Sequence, residues 1–456
     1  MRILHYSLGF PPYRVGGMTK YCLDLMEEQI KAGHSVGMLW PGKIHKYGSE
    51  CQIKKRANYR IDYEIECLNY EIINPLPVSL LNGIKDVKLY MACRNQKIFI
   101  NFFEQNNIDI IHIHTLMGLP RELLVAAKKN HVKIVYTSHD YYGICPKASL
   151  TFGNHICEHS LDCENCGYCN KGALSPKKIK LLQSPLYRMI KDNQLIKIIR
   201  KNAIKKQRNR NDEIEKNNKE EYTYNWNEVE KYKRLRTYYY SFFEMIDTIH
   251  FNSSVTKQVF YNHNVPINNE KTILITHKGL KNQKIKKTFG KTVRFSYLGG
   301  FSSRKGCEIL INALDNVYGK GYRNFKLNTF SSFPYERAYI NEGVPYQYSE
   351  IRGVFEKTDV LILPSIWNET FGFTVLEALS YDVPVIVSSH AGSKDLIDNK
   401  NGWIVEPEVE DLTKIIIKIL EENCQKLKDI NKYICNNIEI KTMREHTQEI
   451  MDKCYK

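Results

Sequence analysis

No apolar run in the 456 residues approaches the roughly 18 that a membrane span needs. The start, MRILHYSLGF, lacks the long apolar stretch of a signal peptide, so the sequence predicts a mature chain beginning at Met1 in the cytosol. No internal repeat of short period is present. Acidic residues are almost missing from one stretch: residues 171–210 carry 13 Lys/Arg and a single acid, Asp192, a net +12, against +16 for the whole chain. The basic character therefore belongs to one segment, and the rest is close to balanced.

What is present is globular: 43% hydrophobic and 25% charged residues, enough chain for two or three domains at about 100–200 residues each. Short strands alternate with helix-length segments. Arg2–Ser7 reads as a strand, Gly9–Gly17 as a Gly/Pro loop, and Met18–Ala32 as a helix with apolar residues at helical spacing. Ile108–His114, Arg121–Asn130 and Lys133–Ser138 repeat the strand–helix–strand order. A second unit starts near Thr292, with strands at Val293–Leu298, Asp359–Pro364, Val383–Ser388 and Trp403–Val405, helices at Cys307–Leu314 and Thr374–Leu379, and a helical Asp411–Lys456. This pattern predicts an α/β protein with parallel sheets in two domains. Between Cys145 and about Tyr240 it breaks into a cysteine cluster followed by the basic stretch.

Two segments carry ligand-binding chemistry. Gly16-Gly17 sits between a strand and a helix, where glycine lets a phosphate approach the backbone and the helix start supplies N–H groups. The loop is not GxGxxG, and no acid follows a second strand as a dinucleotide fingerprint requires. The second segment is Glu369-Thr-Phe-Gly-Phe-Thr-Val-Leu-Glu377, after the strand Val360–Pro364. Its two carboxylates can face one crevice at the carboxyl end of a parallel strand, with backbone N–H groups at Phe371-Gly372-Phe373. The plain alternative is two solvated acids near a helix start.

Glu369 and Glu377 with Phe371-Gly372 between them form an E-x7-E signature, continued by Ala378–Ser388, His390–Ser393 and Asn401-Gly402. With Tyr297–Gly306, Asp109–His114 and Thr137–Asp140, this order resembles the retaining, nucleotide-sugar-dependent glycosyltransferases of group 1, the family 4 type, strongly over roughly 290–407 and not at all over about 150–240. The resemblance implies a GT-B fold, two Rossmann-like doubly wound domains facing across a cleft: an acceptor-side domain at 1–275 with an insertion at about 145–240, a donor-side domain at 276–432, and a 433–456 helix packing back on the first domain. It implies that Glu377 binds the nucleotide ribose and that Glu369, with the amides of Phe371, Gly372 and Phe373, grips the donor sugar. Lys305 would neutralise the diphosphate, Gly16 and Gly17 would touch phosphate or acceptor, and His139 would sit beside the sugar. No metal or other cofactor is required for that chemistry. Gly300 stands where the family often has Arg, and Arg304 is the candidate substitute. Lys278, in Thr276–Gly279, is a further candidate, and of His112 and His114 one is expected to reach the crevice.

The cysteine cluster is Cys145, Cys157, Cys163, Cys166 and Cys169, with His155 and His159 interleaved. Its spacing suits a structural zinc on Cys157, Cys163, Cys166 and Cys169; an iron–sulfur cluster or free thiols are the other readings. Leucines, isoleucines and Tyr187 among the cations of Lys177–Arg210 suit a helix lying on an anionic membrane, against a solvated insertion. The expected partners are a nucleotide-sugar donor, a polysaccharide or lipid-linked glycan acceptor of bacterial surface polysaccharide synthesis, and the inner membrane face. No nucleic acid is expected, since no binding module is recognisable. The different-class rival is a degenerate transferase-like protein that docks to membrane or nucleic acid through the insertion.

Overall fold

The computed structural model describes residues 1–456 apart from 46–49, 80–82, 153–154, 158–160, 192, 195, 199, 201, 203–224, 286 and 332. The first unit is built on β1 (Arg2–Tyr6), β2 (Ser35–Pro41), β3 (Gln52–Asp62), β4 (Ile65–Ile73), β5 (Ile110–Ile113) and β6 (Lys133–Thr137). A two-residue-per-strand hairpin follows, β7 (Thr151–Phe152) with β8 (His155–Ile156), and then β9 (Thr248–Phe251) and β10 (Glu270–Thr272). The sheet order is β10-β9-β6-β5-β1-β2-β4-β3. Every pair is parallel except the β3–β4 hairpin at the edge. The inner strands β1, β5, β6 and β9 are buried almost throughout, as a parallel sheet with helices on both faces requires.

The second unit holds β11 (Val293–Tyr297), β12 (Phe325–Thr329), β13 (Ile340–Glu342), β14 (Val360–Leu363), β15 (Val385–Ser388) and β16 (Gly402–Val405), all parallel in the order β13-β12-β11-β14-β15-β16. In both sheets the chain leaves the first strand toward one side and later returns to the other. The crevice at that switch point is where α/β proteins bind ligands.

Helices Val409–Glu421, Asn423–Asn437 and Met443–Cys454 form the last stretch. The first packs in the second unit, with Leu412 and Ile416 against Leu310 and Leu314. The last lies on the first unit, where Ile450, Cys454 and Tyr455 join Ile3, Cys22, Met26 and Val135 in one core cluster. Thr442 and Glu445 start that helix with a reciprocal capping box.

The cysteine-rich segment is not a surface excursion. Cys163, Cys166 and Ile179 belong to the same core as Leu4, Ile111 and Tyr136. The helix Trp226–Phe243 buries Val229, Tyr232, Leu235, Tyr239, Phe242 and Phe243 against that core, so regular packing resumes at Trp226 and not at Tyr240. Among the described residues the basic stretch opens with two short helices, Pro176–Leu182 and Pro185–Ile190, each started by a capping serine and a proline, and residues 194, 196–198, 200 and 202 are helical again. Ser184 and Pro185 thus divide the stretch where one amphipathic helix was expected. Within Lys177–Arg210, residues 192, 195, 199, 201 and 203–210 lie outside the described residues.

Candidate functional site

The loops that follow β1, β6, β11 and β14 meet between the two sheets. After β1, Gly16 takes φ 129°, a conformation glycine favours, and opens the helix Gly17–Lys31. A Cβ on Gly17 would sit 3.4 Å from the Phe373 ring, so the two units touch here. After β6, the His139 carbonyl accepts a hydrogen bond from the Thr370 hydroxyl at 3.3 Å, a second crossing between the units.

On the other side, the loop after β11 turns through Ser303–Lys305 into the helix Cys307–Gly319. Gly306 makes that turn at φ 74°, and a Cβ there would lie 1.8 Å from the Pro364 carbonyl oxygen. The glycine therefore lets the loop rest on the end of β14. The Ile366 amide donates to the Arg304 carbonyl at 3.0 Å and ties the two loops together. Across this junction the Lys305 ammonium donates to Glu369 Oε1 at 2.5 Å, and the Ser365 hydroxyl donates to Oε2 at 2.6 Å. Glu369 is 8% exposed while Lys305 is one-third exposed, so the carboxylate is buried and the ammonium is open to the cleft. Arg304 turns its guanidinium over the Trp367 ring at 5.4 Å. At Gly300 a side chain would meet nothing within 4 Å, so packing does not demand glycine there.

Gly372, at φ 100°, opens the helix Phe373–Ser380, whose first N–H groups have no partner inside the helix. Phe371 is buried and hands its carbonyl to the Ser393 amide, fixing the turn. Glu377 lies in that helix, 9% exposed, and His277 Nε2 approaches its Oε1 at 3.4 Å. His277 Nδ1 in turn meets Lys20 Nζ at 2.7 Å. His277 and Lys20 thus stand beside Glu377, and motif reading, which took Lys278 from the turn Thr276–Gly279, missed both.

The structure brings Gly16, Gly17, His139, Lys305, Glu369, Phe371, Gly372, Phe373 and Glu377 to the space between the sheets. It does not bring Lys278 there: its ammonium binds Glu27 and Asp62. His112 and His114 are fully buried and neither reaches the cleft; His114 instead bonds to His139. Burial pushes His139 down to about 3, so its ring is neutral. A cavity of about 810 Å³ opens beside the Ser303 turn, with Phe152, His155 and Cys157 on one side and Glu308, His390 and Glu406 on the other.

Four thiols, Cys145, Cys157, Cys166 and Cys169, line one small cavity with Arg236. Cys163 is outside that lining, and the Cys166 thiol bonds to it, which lowers Cys163 and retains the Cys166 proton. Among the described residues no three of these sulfurs lie within 4.8 Å of one another. His159 lies outside the described residues. The one described triad that does converge is His5, Cys22 and His114. Its two rings bond to each other at 2.9 Å through His5 Nδ1 and His114 Nε2.

Two facing doubly wound units with a glycine-rich turn on one side and paired loops on the other define a GT-B fold. Residues 15–160 match the family described as Glycosyltransferase Family 4, and residues 343–436 match that described as Glycosyl transferases group 1. Over these two stretches, one in each unit, the chain matches the group 1, family 4 type of glycosyltransferases. It is similar to a glycosyltransferase from Rickettsia africae ESF-5, with TM-score 0.56 and 13% identity, covering 99% of this chain and 97% of that one. Anabaena Alr3699/HepE in complex with UDP gives TM-score 0.54 and 13% identity over 99% of each chain. Among curated proteins, an uncharacterized 42.6 kDa protein in the cps region of Klebsiella pneumoniae is 29% identical over 159 residues, 33% of this chain and 39% of that protein. A 41.2 kDa protein of the same region is 28% identical over 128 residues, 27% of this chain and 35% of that one, so the chain spans well under half of either relative.

Proposed function

We propose that the protein transfers a sugar, with retention, from a nucleoside diphosphate sugar onto a polysaccharide or lipid-linked acceptor. The observation that carries this reading is the Lys305–Glu369–Ser365 junction beside the Gly372 turn, with Glu377 eight residues on. Breaking a sugar–phosphate bond builds negative charge on the departing diphosphate. Lys305, with an ammonium offering three donors and only one used by Glu369, would meet that charge, and the helix-start amides would add a positive field. Glu369 would accept hydroxyls of the sugar and Glu377 those of the ribose, with His277 holding its carboxylate. The diphosphate would lie between the Lys305 turn and Gly16-Gly17, and the acceptor on the first unit, beside the 810 Å³ cavity lined by both units. HepE, of the same fold, was crystallised with UDP, and two relatives come from a cps region; both support a nucleotide-sugar donor and a surface-polysaccharide acceptor.

A place at the inner membrane face is favoured by exposed apolar residues among cations: Leu181, Leu186, Met189 and Ile198 are each more than half exposed. Among the described residues no helix is long and apolar enough to cross a membrane.

The test is transfer from radiolabelled UDP-, GDP- and ADP-hexoses to lipid extracts. The expected result is labelled product with one donor, lost in Glu369→Ala. Donor-independent labelling, or full activity in Glu369→Ala, would refute the reading.

A further inference from the structure

The interior face of the first sheet holds a row of histidines. Strand register places His5 opposite His112 and Thr137 opposite His250. Helices Gly17–Lys31 and Met443–Cys454 cover this face with Gln29 and Tyr455. The side chains join in one unbroken line. His250 Nε2 meets the Ile273 carbonyl at 2.7 Å, and His250 Nδ1 meets the Thr137 hydroxyl at 2.9 Å. Thr137 meets His112 Nε2 at 2.7 Å, and His112 Nδ1 meets the Tyr455 hydroxyl at 2.7 Å. Gln29 Nε2 reaches Tyr455 at 2.9 Å, and Gln29 Oε1 meets His5 Nε2 at 2.7 Å. His5 Nδ1 meets His114 Nε2 at 2.9 Å, and His114 Nδ1 meets His139 Nε2 at 3.2 Å.

The direction of every bond follows from one end. A carbonyl only accepts, so His250 carries its proton on Nε2. The rings are neutral because burial disfavours their charged form, so each has one N–H and one lone pair. His250 Nδ1 therefore accepts, and Thr137 must donate to it. Thr137 oxygen then accepts from His112 Nε2–H, and Tyr455 donates to His112 Nδ1. Gln29 donates its amide N–H to Tyr455 and accepts from His5 Nε2–H. His114 donates to His5, and His139 donates to His114. The line ends with His139 as the Nε2–H form. Among the described residues its Nδ1 makes no hydrogen bond, so a bare lone pair remains.

We propose that this one-way line, closed by Tyr455 and Thr137, positions His139 as a pure Nε2–H tautomer whose Nδ1 accepts a hydrogen bond from a hydroxyl of the donor sugar. The second half rests on the cleft being a nucleotide-sugar site; the first half does not. Tyr455 and Thr137 are positioning residues, since neither reaches the cleft. Tyr455 is the switch in the line: without its hydroxyl the Gln29 amide is free to turn over and donate to His5, which reverses His5, His114 and His139 together.

The experiment is two-bond ¹H–¹⁵N correlation of the full-length, ¹⁵N-histidine-labelled protein at pH 7.5, with His139 assigned by the signal lost in His139→Gln. The expected wild-type signal is a single Nε2–H form. In Tyr455→Phe, and independently in Thr137→Val, it should move toward averaged nitrogens. Far-ultraviolet dichroism shows whether each variant stays folded. A wild-type Nδ1–H signal, or a folded variant of each kind with His139 unchanged, would overturn the line. Adding UDP-, GDP- and ADP-glucose should shift His139 Nδ1 with one of them. A correct tautomer that responds to none would overturn the sugar contact while the line stands.

Discussion

Replacing Lys305 by alanine separates structure from chemistry. Two losses are expected, of different kinds. The first is structural. Breaking a fully buried ion pair costs about 3–5 kcal/mol, and an exposed pair about 0–1 kcal/mol. Here the carboxylate is 8% exposed and the ammonium one-third exposed, and Ser365 still donates to Glu369. An intermediate cost of about 2 kcal/mol follows, too small to unfold a domain of ordinary stability. The second loss is catalytic. Removing one preorganised group that meets developing charge costs about 10²–10³ in kcat, or about 3–4 kcal/mol. The assay is release of nucleoside diphosphate from the preferred donor under saturating acceptor, with urea unfolding run on the same preparations. Lys305→Ala should lose kcat at least a hundredfold while staying folded, and Lys305→Arg should recover most of it. A lowered urea midpoint with kcat within threefold of wild type would show that Lys305 only holds Glu369, and the reasoning would fail.

Gly306→Ala should lower stability by about 2–5 kcal/mol, from left-handed strain plus overpacking, because its Cβ would meet Pro364 backbone at 1.8 Å; a change under 0.5 kcal/mol in urea would contradict the loop packing. Acid should destabilise the fold early. Burial holds the folded pKa of His5 and His250 at about 4 and of His139 at about 3, below the ordinary 6.5, so the unfolded chain binds more protons and stability falls as pH drops from about 6.5 toward 4. Each contributes about 2 kcal/mol of loss by pH 5, offset by about 1 kcal/mol from Asp140, whose buried carboxyl is raised to about 6 and so favours the fold in acid. Urea midpoints that are level between pH 7.5 and 5 would refute this. Binding to anionic vesicles should weaken with salt and be lost when Leu186 and Met189 are both changed to Glu; unchanged binding would remove the membrane reading.

The doubly wound architecture was legible because buried parallel strands read as short apolar runs between helix-length segments, as in Val360–Leu363 and Val385–Ser388. The E-x7-E segment was legible because both acids stand on one loop–helix unit. The β3–β4 hairpin was not: Gln52–Asp62 is an exposed edge strand of cations and polar residues, with little apolar alternation to mark it. The histidine line was hidden for a different reason. It joins residues from β1, β5, β6, β9 and two helices, and only strand register brings them together. His112 and His114 share one side of their strand, which sequence shows, but whether that side faces ligand or core is decided by the helices laid over it. Cysteine spacing likewise did not show that the chain folds Cys163 and Cys166 into the hydrophobic core.

The measurement closest to the central claim is calorimetric titration of the protein with UDP, GDP, ADP and CMP, beside Glu377→Ala. One nucleotide should bind, and the variant, losing the carboxylate held by His277, should bind it at least tenfold more weakly. No binding by any nucleotide, or equal binding by Glu377→Ala, would contradict a donor site in this cleft.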